Sequence, residues 1–294
     1  MSAICSALAF RVDSRGLFAG LNRLSSFQNP WSEPSPPSLN ESPTPATPAP
    51  AEELAWSGWD VLQIAVLTIV SILVLAMLVG FAAQRLLYPH AAYMDVLKYP
   101  VVAVVAQLLA YVLVFAFMVL VIKRAPERRF WECIQWNWPG WATGGTFLAC
   151  GTTMYFALLG VGQLLPIPKH LPIDQFFRTA SEATLLSIVS VTAAPLMEEL
   201  FFRGFLYPVL ARRLGTGAGI LLTAALFGVL HGAQLGYSWA VLIIFLVGLA
   251  LTIVRAVTQS VAASFLTHIG YNGTLSVLLF VATDGYRHLE KLNQ

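Results

Sequence analysis

Long apolar runs separated by short polar or aromatic-rich stretches fill the chain from Trp56 onwards. A helix needs about 20 apolar residues to cross a bilayer. Runs at 61–83, 99–122, 142–165, 183–210, 218–234, 239–258 and 261–282 approach or exceed that length. None shows the period-two alternation of a membrane β-barrel. The pattern therefore predicts an all-α polytopic membrane helix bundle with about seven to eight transmembrane helices. The breaks agree with it. Residues 84–98 carry Arg85, Tyr88 and Tyr93, an interfacial composition, and Trp131, Trp136, Trp138 and Trp141 form an aromatic belt after a charged loop. Pro195, Gly204, Pro208 and Gly228 lie inside the later runs and predict kinks there.

Composition sharpens this picture. Of 294 residues 57% are hydrophobic and 11% charged, against about 25% charged in a soluble domain. Mean hydropathy is +0.71. A net charge of +2 and the absence of a Lys/Arg-rich run with interleaved aromatics exclude nucleic acid as a partner. Cys5, Cys133 and Cys150 are scattered, with no Cys-x-x-Cys spacing, and suggest neither a disulfide framework nor a thiolate metal site. Residues 3–10 are apolar but too short to span, and no basic region precedes them, so they make a poor signal peptide. Eight prolines between 29 and 50 mark a disordered tether, which cannot bury enough apolar area to offset its ordering entropy.

The chain thus divides into a Pro-rich N-terminal extension at 1–55, N-terminal transmembrane helices at 56–182, a polar-bearing transmembrane core at 183–282, and a tail at 283–294. Basic residues at 123–129, with Arg212, Arg213 and Arg255, outweigh those on the other side (Arg85, Lys98, Lys169, Arg178, Arg287, Lys291), which places the first set and the N-terminus in the cytoplasm.

Candidate chemistry sits in the third of these segments. Glu198 and Glu199 are the only acids between Glu182 and Asp284. A carboxylate at bilayer depth costs about 2.5–3.5 kcal/mol even on lenient scales, so such residues are paired or functional. On a helix Glu199 and Arg203 share a face and pair, while Glu198 is rotated by about 100° and does another job. Phe227 and His231 share a face, as do His268 and Asn272. Alone, a Glu–Arg pair is more often structural, and an intramembrane His is about as often an interhelical hydrogen bond. Together, one uncompensated Glu, two His and an Asn suit hydrolysis: Glu as base for water, His to assist it, Asn to donate to an oxyanion. The same residues also suit a metal held by imidazole and carboxylate. No His-Glu-x-x-His string occurs, and without Gly-x-Ser-x-Gly the nearby Ser260 and Ser264 give little support to a serine mechanism.

Glu198-Glu199-x-x-x-Arg203, Phe227-x-x-x-His231 and His268-x-x-x-Asn272 resemble, in order and spacing, the three-motif signature of the CPBP group: CAAX prenyl endopeptidases, bacteriocin-processing and immunity proteins, and abortive-infection membrane proteases. The resemblance spans about 183–282. It implies an intramembrane endopeptidase in a membrane that the bacterial-looking chain makes the bacterial cytoplasmic one. It further implies catalytic residues Glu198 (base), Glu199 with Arg203 (its partner), His231 and His268 (flanking the water) and Asn272 (oxyanion), with no cofactor. The substrate would be a peptide bond in a membrane-associated or lipidated protein or peptide. A zinc-dependent variant would use Glu198, His231 and His268 as ligands. A non-catalytic immunity or scaffold protein of the same fold is a further alternative. A small transporter with Glu198 as proton relay predicts inverted repeats, which the sequence lacks.

Overall fold

The computed structural model describes residues 54–125 and 127–290; the Pro-rich stretch before Leu54 and the end of the tail after Glu290 lie outside them. The described residues form helices and no strand. α1 (Gly58–Leu86), α2 (Tyr93–Val96), α3 (Pro100–Lys123), α4 (Phe130–Cys133) and α5 (Trp141–Gly162) precede the segment that carries the acid pair. Ser57 and Asp60 start α1 with a capping box, and Arg124 Nη1 at the end of α3 reaches Asp60 Oδ1 at 2.7 Å. The two termini are thereby held together. Leu62, Ile69, Leu73 and Met77 project outward from α1, an apolar exterior that water would penalise and lipid accepts.

The run at 183–210 is a bent element rather than one straight helix. α6 (Ala180–Val191) breaks at Thr192, whose ψ is −81°, and α7 (Ala193–Glu199) follows. Pro195 lacks an N–H and its ring crowds the carbonyl four residues back, that of Val191. A π-helical turn, Leu200–Leu206, then leads into α8 (Tyr207–Leu214). Such turns widen the helix and re-aim its side chains.

α9 (Thr216–Leu230) has 15 residues, about 22 Å at 1.5 Å per residue, short of a hydrocarbon core of about 30 Å. Among the described residues six helices are long and apolar enough to cross a membrane, so the expected seven to eight is not confirmed, and α9 is a shorter apolar helix. Hydropathy carried the run on to Gln234 because Gly232 and Ala233 are not polar. The backbone instead turns after Leu230, with the Tyr237 amide donating to the Gly232 carbonyl at 2.8 Å.

α10 (Ala240–Thr258) and α11 (Val261–Ala282) complete the bundle. α11 lies against α5 with backbones in close approach: a Cβ on Gly151 would meet the Thr267 carbonyl oxygen, and one on Gly270 the Leu148 carbonyl oxygen. Small residues at such crossings let intramembrane helices gain packing energy that hydrophobicity cannot supply within lipid. Arg255 of α10, counted above as a loop charge, is buried at 3% exposure. Its Nε donates to the Arg203 carbonyl at 3.2 Å and its Nη2 to Gln135 Oε1. It is a structural cation and leaves the topogenic count.

Gly270→Val is expected to separate α5 from α11 and to cost at least about 1–3 kcal/mol, as overpacking typically does. The melting temperature of the purified protein in detergent checks this; a wild-type value would show that the crossing is not tight.

Candidate active site

The π turn and α7 place the two acids differently. Glu199 is fully buried. Its Oε1 accepts from Arg203 Nη1 at 2.9 Å and from His268 Nδ1 at 2.9 Å, and its Oε2 accepts from Ser264 Oγ at 2.6 Å. Arg203 in turn donates from Nη2 to the Gly248 carbonyl at 3.0 Å, and its guanidinium lies 4.7 Å from the centre of the Phe227 ring. One carboxylate thus joins α7, the π turn and α11, and through Arg203 it reaches α10.

Glu198 retains 23% exposure and faces the histidines. His231 caps α9 and its Nδ1–H donates to the Phe227 carbonyl at 2.8 Å. A carbonyl and an anionic carboxylate can only accept, so both Nδ1 atoms carry a proton and both Nε2 atoms are the ones turned towards Glu198. His231 Nε2 lies 3.9 Å from Glu198 Oε1, and His268 Nε2 lies 3.7 Å from Glu198 Oε2. These separations exceed a direct hydrogen bond, yet one water about 2.8 Å from each partner can touch carboxylate and imidazole together. The Phe227 ring steadies both imidazoles, with centroids 4.6 Å from His231 and 6.0 Å from His268.

Glu198, His231 and His268 therefore converge, with Glu199 and Arg203 behind them. Asn272, one turn beyond His268, donates from Nδ2 to the Ser190 carbonyl at 2.7 Å, which ties α11 to α6 and leaves its second N–H. Two further contributors were not picked out from the sequence. Ser264, set aside as a nucleophile, is a donor to Glu199; its spacing of four residues from His268 was the available signal. The Gly248 carbonyl had none, because backbone acceptors leave no mark in a motif.

Orientation of an imidazole by an Nδ1 hydrogen bond is also what a metal-binding His requires. However, no group of three or more His, Cys, Asp or Glu among the described residues is arranged to hold a metal ion.

Residues 180–274 match the family model described as Rce1-like, type II CAAX prenyl endopeptidase. That segment is similar to the family. It starts with α6 and contains Glu198, Glu199, Arg203, His231, His268 and Asn272. The polar cluster thus falls inside the part of the chain that resembles a protease family, and α1–α5 fall outside it. No curated protein and no solved structure matches the chain.

Removing Arg203 leaves the Glu199 charge buried with two weaker donors. Arg203→Ala is expected to cost about 3–5 kcal/mol, the usual loss when one member of a buried pair is deleted. Ser264→Ala, which removes one hydrogen bond to a charged acceptor, is expected to cost about 1.5–3 kcal/mol. Thermal melting in detergent should rank the two variants in that order, and equal melting temperatures would contradict the geometry.

Proposed function

We propose that the chain is a membrane-embedded endopeptidase, in which Glu198 activates a water to hydrolyse a peptide bond of a membrane-associated or lipidated protein or peptide. One observation carries the reading: a half-buried carboxylate faces the Nε2 atoms of two imidazoles across a one-water gap. The Rce1-like match gives the reaction class.

The steps follow from the donors and acceptors. Glu198 takes one proton from the water while one of the two imidazoles, His231 or His268, accepts its other O–H and holds its orientation. The water oxygen adds to the carbonyl carbon and a tetrahedral oxyanion forms. The second N–H of Asn272 is a donor for that charge. The C–N bond then breaks, the new carboxyl group keeps the water oxygen, and Glu198 returns the proton to the departing amine. Glu199 and Arg203 hold His268 and the π turn in place. No cofactor takes part. Lipids surround the enzyme, in what we take to be the bacterial cytoplasmic membrane.

Comparison of new protein N-termini in membranes carrying wild-type or Glu198→Gln protein tests this. The amide matches the acid in shape but accepts no proton. It is expected to lower processing by roughly 10²–10⁴-fold, the range of general acid–base catalysis, with an unchanged melting temperature. His231→Ala and His268→Ala are expected to be severely impaired as well, and chelators are expected to leave processing unchanged. Identical N-termini in wild-type and Glu198→Gln membranes would favour a non-catalytic scaffold, and chelator sensitivity would favour the zinc variant.

A further inference from the structure

The chain beyond α11 folds back against the bundle in an unfavourable backbone conformation. Asp284, Gly285 and Tyr286 follow one another in the left-handed region, with φ of 52°, 72° and 63°. Glycine adopts that region freely, but a Cβ disfavours it and a bulky ring makes it rare. Such conformations persist only where the surroundings over-determine them. Here the surroundings bury Tyr286, which is 4% exposed. Its amide donates to Thr283 Oγ1 at 3.1 Å, and its ring centre lies 5.3 Å from that of Phe280. Its hydroxyl enters the seam between α6 and α11. Ser187 Oγ of α6 lies 2.7 Å from Tyr286 Oη, and the phenol donates to the Ser276 carbonyl of α11 at 3.3 Å, which leaves Ser187 as donor of the first bond.

The same seam carries Asn272. Ser190 lies one turn on from Ser187 along α6, and Asn272 one turn back from Ser276 along α11. Asn272 Nδ2 donates to the Ser190 carbonyl at 2.7 Å, and Ser190 Oγ donates to the Ser187 carbonyl at 3.0 Å. The two N–H groups of an amide have a fixed angle between them, so the bond to Ser190 also directs the second N–H. α6 has 12 residues and breaks at Thr192, so a straight helical run into α7 does not fix the Ser190 carbonyl. The phenol, bonded to both helices one turn away, does.

We infer that Tyr286 is a positioning residue of this site: by bridging Ser187 and Ser276 it sets the seam between α6 and α11, and so aims the second N–H of Asn272 at the carbonyl oxygen of the scissile bond. The inference rests on the endopeptidase reading and on Asn272 as its oxyanion donor. Tyr286 acts through Asn272 and exchanges no proton. The tail, outside the family match, is then part of what makes the site competent.

The test follows the rate at which Glu198-dependent N-termini appear in membranes carrying the full chain, with levels of folded enzyme matched. Tyr286→Phe removes only the hydroxyl and is expected to slow processing roughly 10-fold, within the loss that misplacing a reacting group can cause. Asn272→Ala is expected to slow it roughly 10²-fold, the loss of one oxyanion donor. The double variant decides, because residues that act through one another are not additive. Tyr286→Phe in the Asn272→Ala background is expected to leave the residual rate unchanged. A tyrosine that merely supports the fold slows both backgrounds equally, and that result overturns the inference. So does a wild-type rate in Tyr286→Phe or in Ser187→Ala. Ser187→Ala is expected to repeat the pattern, and it takes the place of Tyr286→Phe in the cycle if that variant does not fold. Wild-type processing by Asn272→Ala removes the oxyanion role and this inference while Glu198 stays the base. Unchanged N-termini in Glu198→Gln remove the endopeptidase reading and this inference with it.

Discussion

The bundle's polar interior depends on the satisfaction of one buried carboxylate. Moving a charge out of water costs several kcal/mol per ion even after relaxation, and only good geometry with extra hydrogen bonds offsets it. Glu199 meets that condition with three donors from two elements: Arg203 in the π turn, and Ser264 and His268 on α11. Each donor is tied elsewhere. Arg203 reaches the Gly248 carbonyl on α10 and lies over the Phe227 ring on α9. The positions of four helical elements are therefore coupled to one anion. Its structural role explains why this acid is unsuited to accept a proton from water.

Glu198 gains its chemistry from what Glu199 supplies to its neighbours. The bond from His268 Nδ1 to Glu199 turns Nε2 towards Glu198, and the Phe227 carbonyl does the same for His231. Two adjacent acids separate into a buried, ion-paired one and a half-buried one facing the histidines because successive helical positions differ by about 100°. The kink at Thr192 and the π turn at Leu200–Leu206 bracket the pair. The wide turn leaves the carbonyl of Arg203 available, and Arg255 Nε donates to it. A deformation that would otherwise leave a polar group unsatisfied in an apolar interior is thereby accommodated.

Close helix approach carries the geometry to the far side of the bundle. Gly151 and Gly270 allow α5 to hold α11, the helix that presents His268 and Asn272. Aromatic contacts around Phe227 hold the imidazoles from the α9 side, and the short length of α9 brings its C-terminal His231 to the depth of the acids instead of to a membrane surface.

The helix bundle, the pairing of Glu199 with Arg203 and the distinct role of Glu198 were legible in the sequence, because apolar length and four-residue spacing are local properties of the chain. The membership of Glu198, His231 and His268 in one cluster was suggested only by chemistry and resemblance, since no sequence spacing relates α7 to α9 and α11. The expected number of spans is not confirmed because at residues 218–234 glycine turns interrupt a run that hydropathy reads as continuous. Arg255 was misplaced for a related reason: a cation near a helix end counts as a surface charge until a carbonyl and Gln135 are seen to receive it inside. The bonds of Ser264 and of the Gly248 carbonyl became visible only with the tertiary structure. Their parts depend on which backbone oxygens, rings and uncommitted hydrogens the helices bring within a few ångströms of the acid pair, and helix crossings made by small residues set those distances.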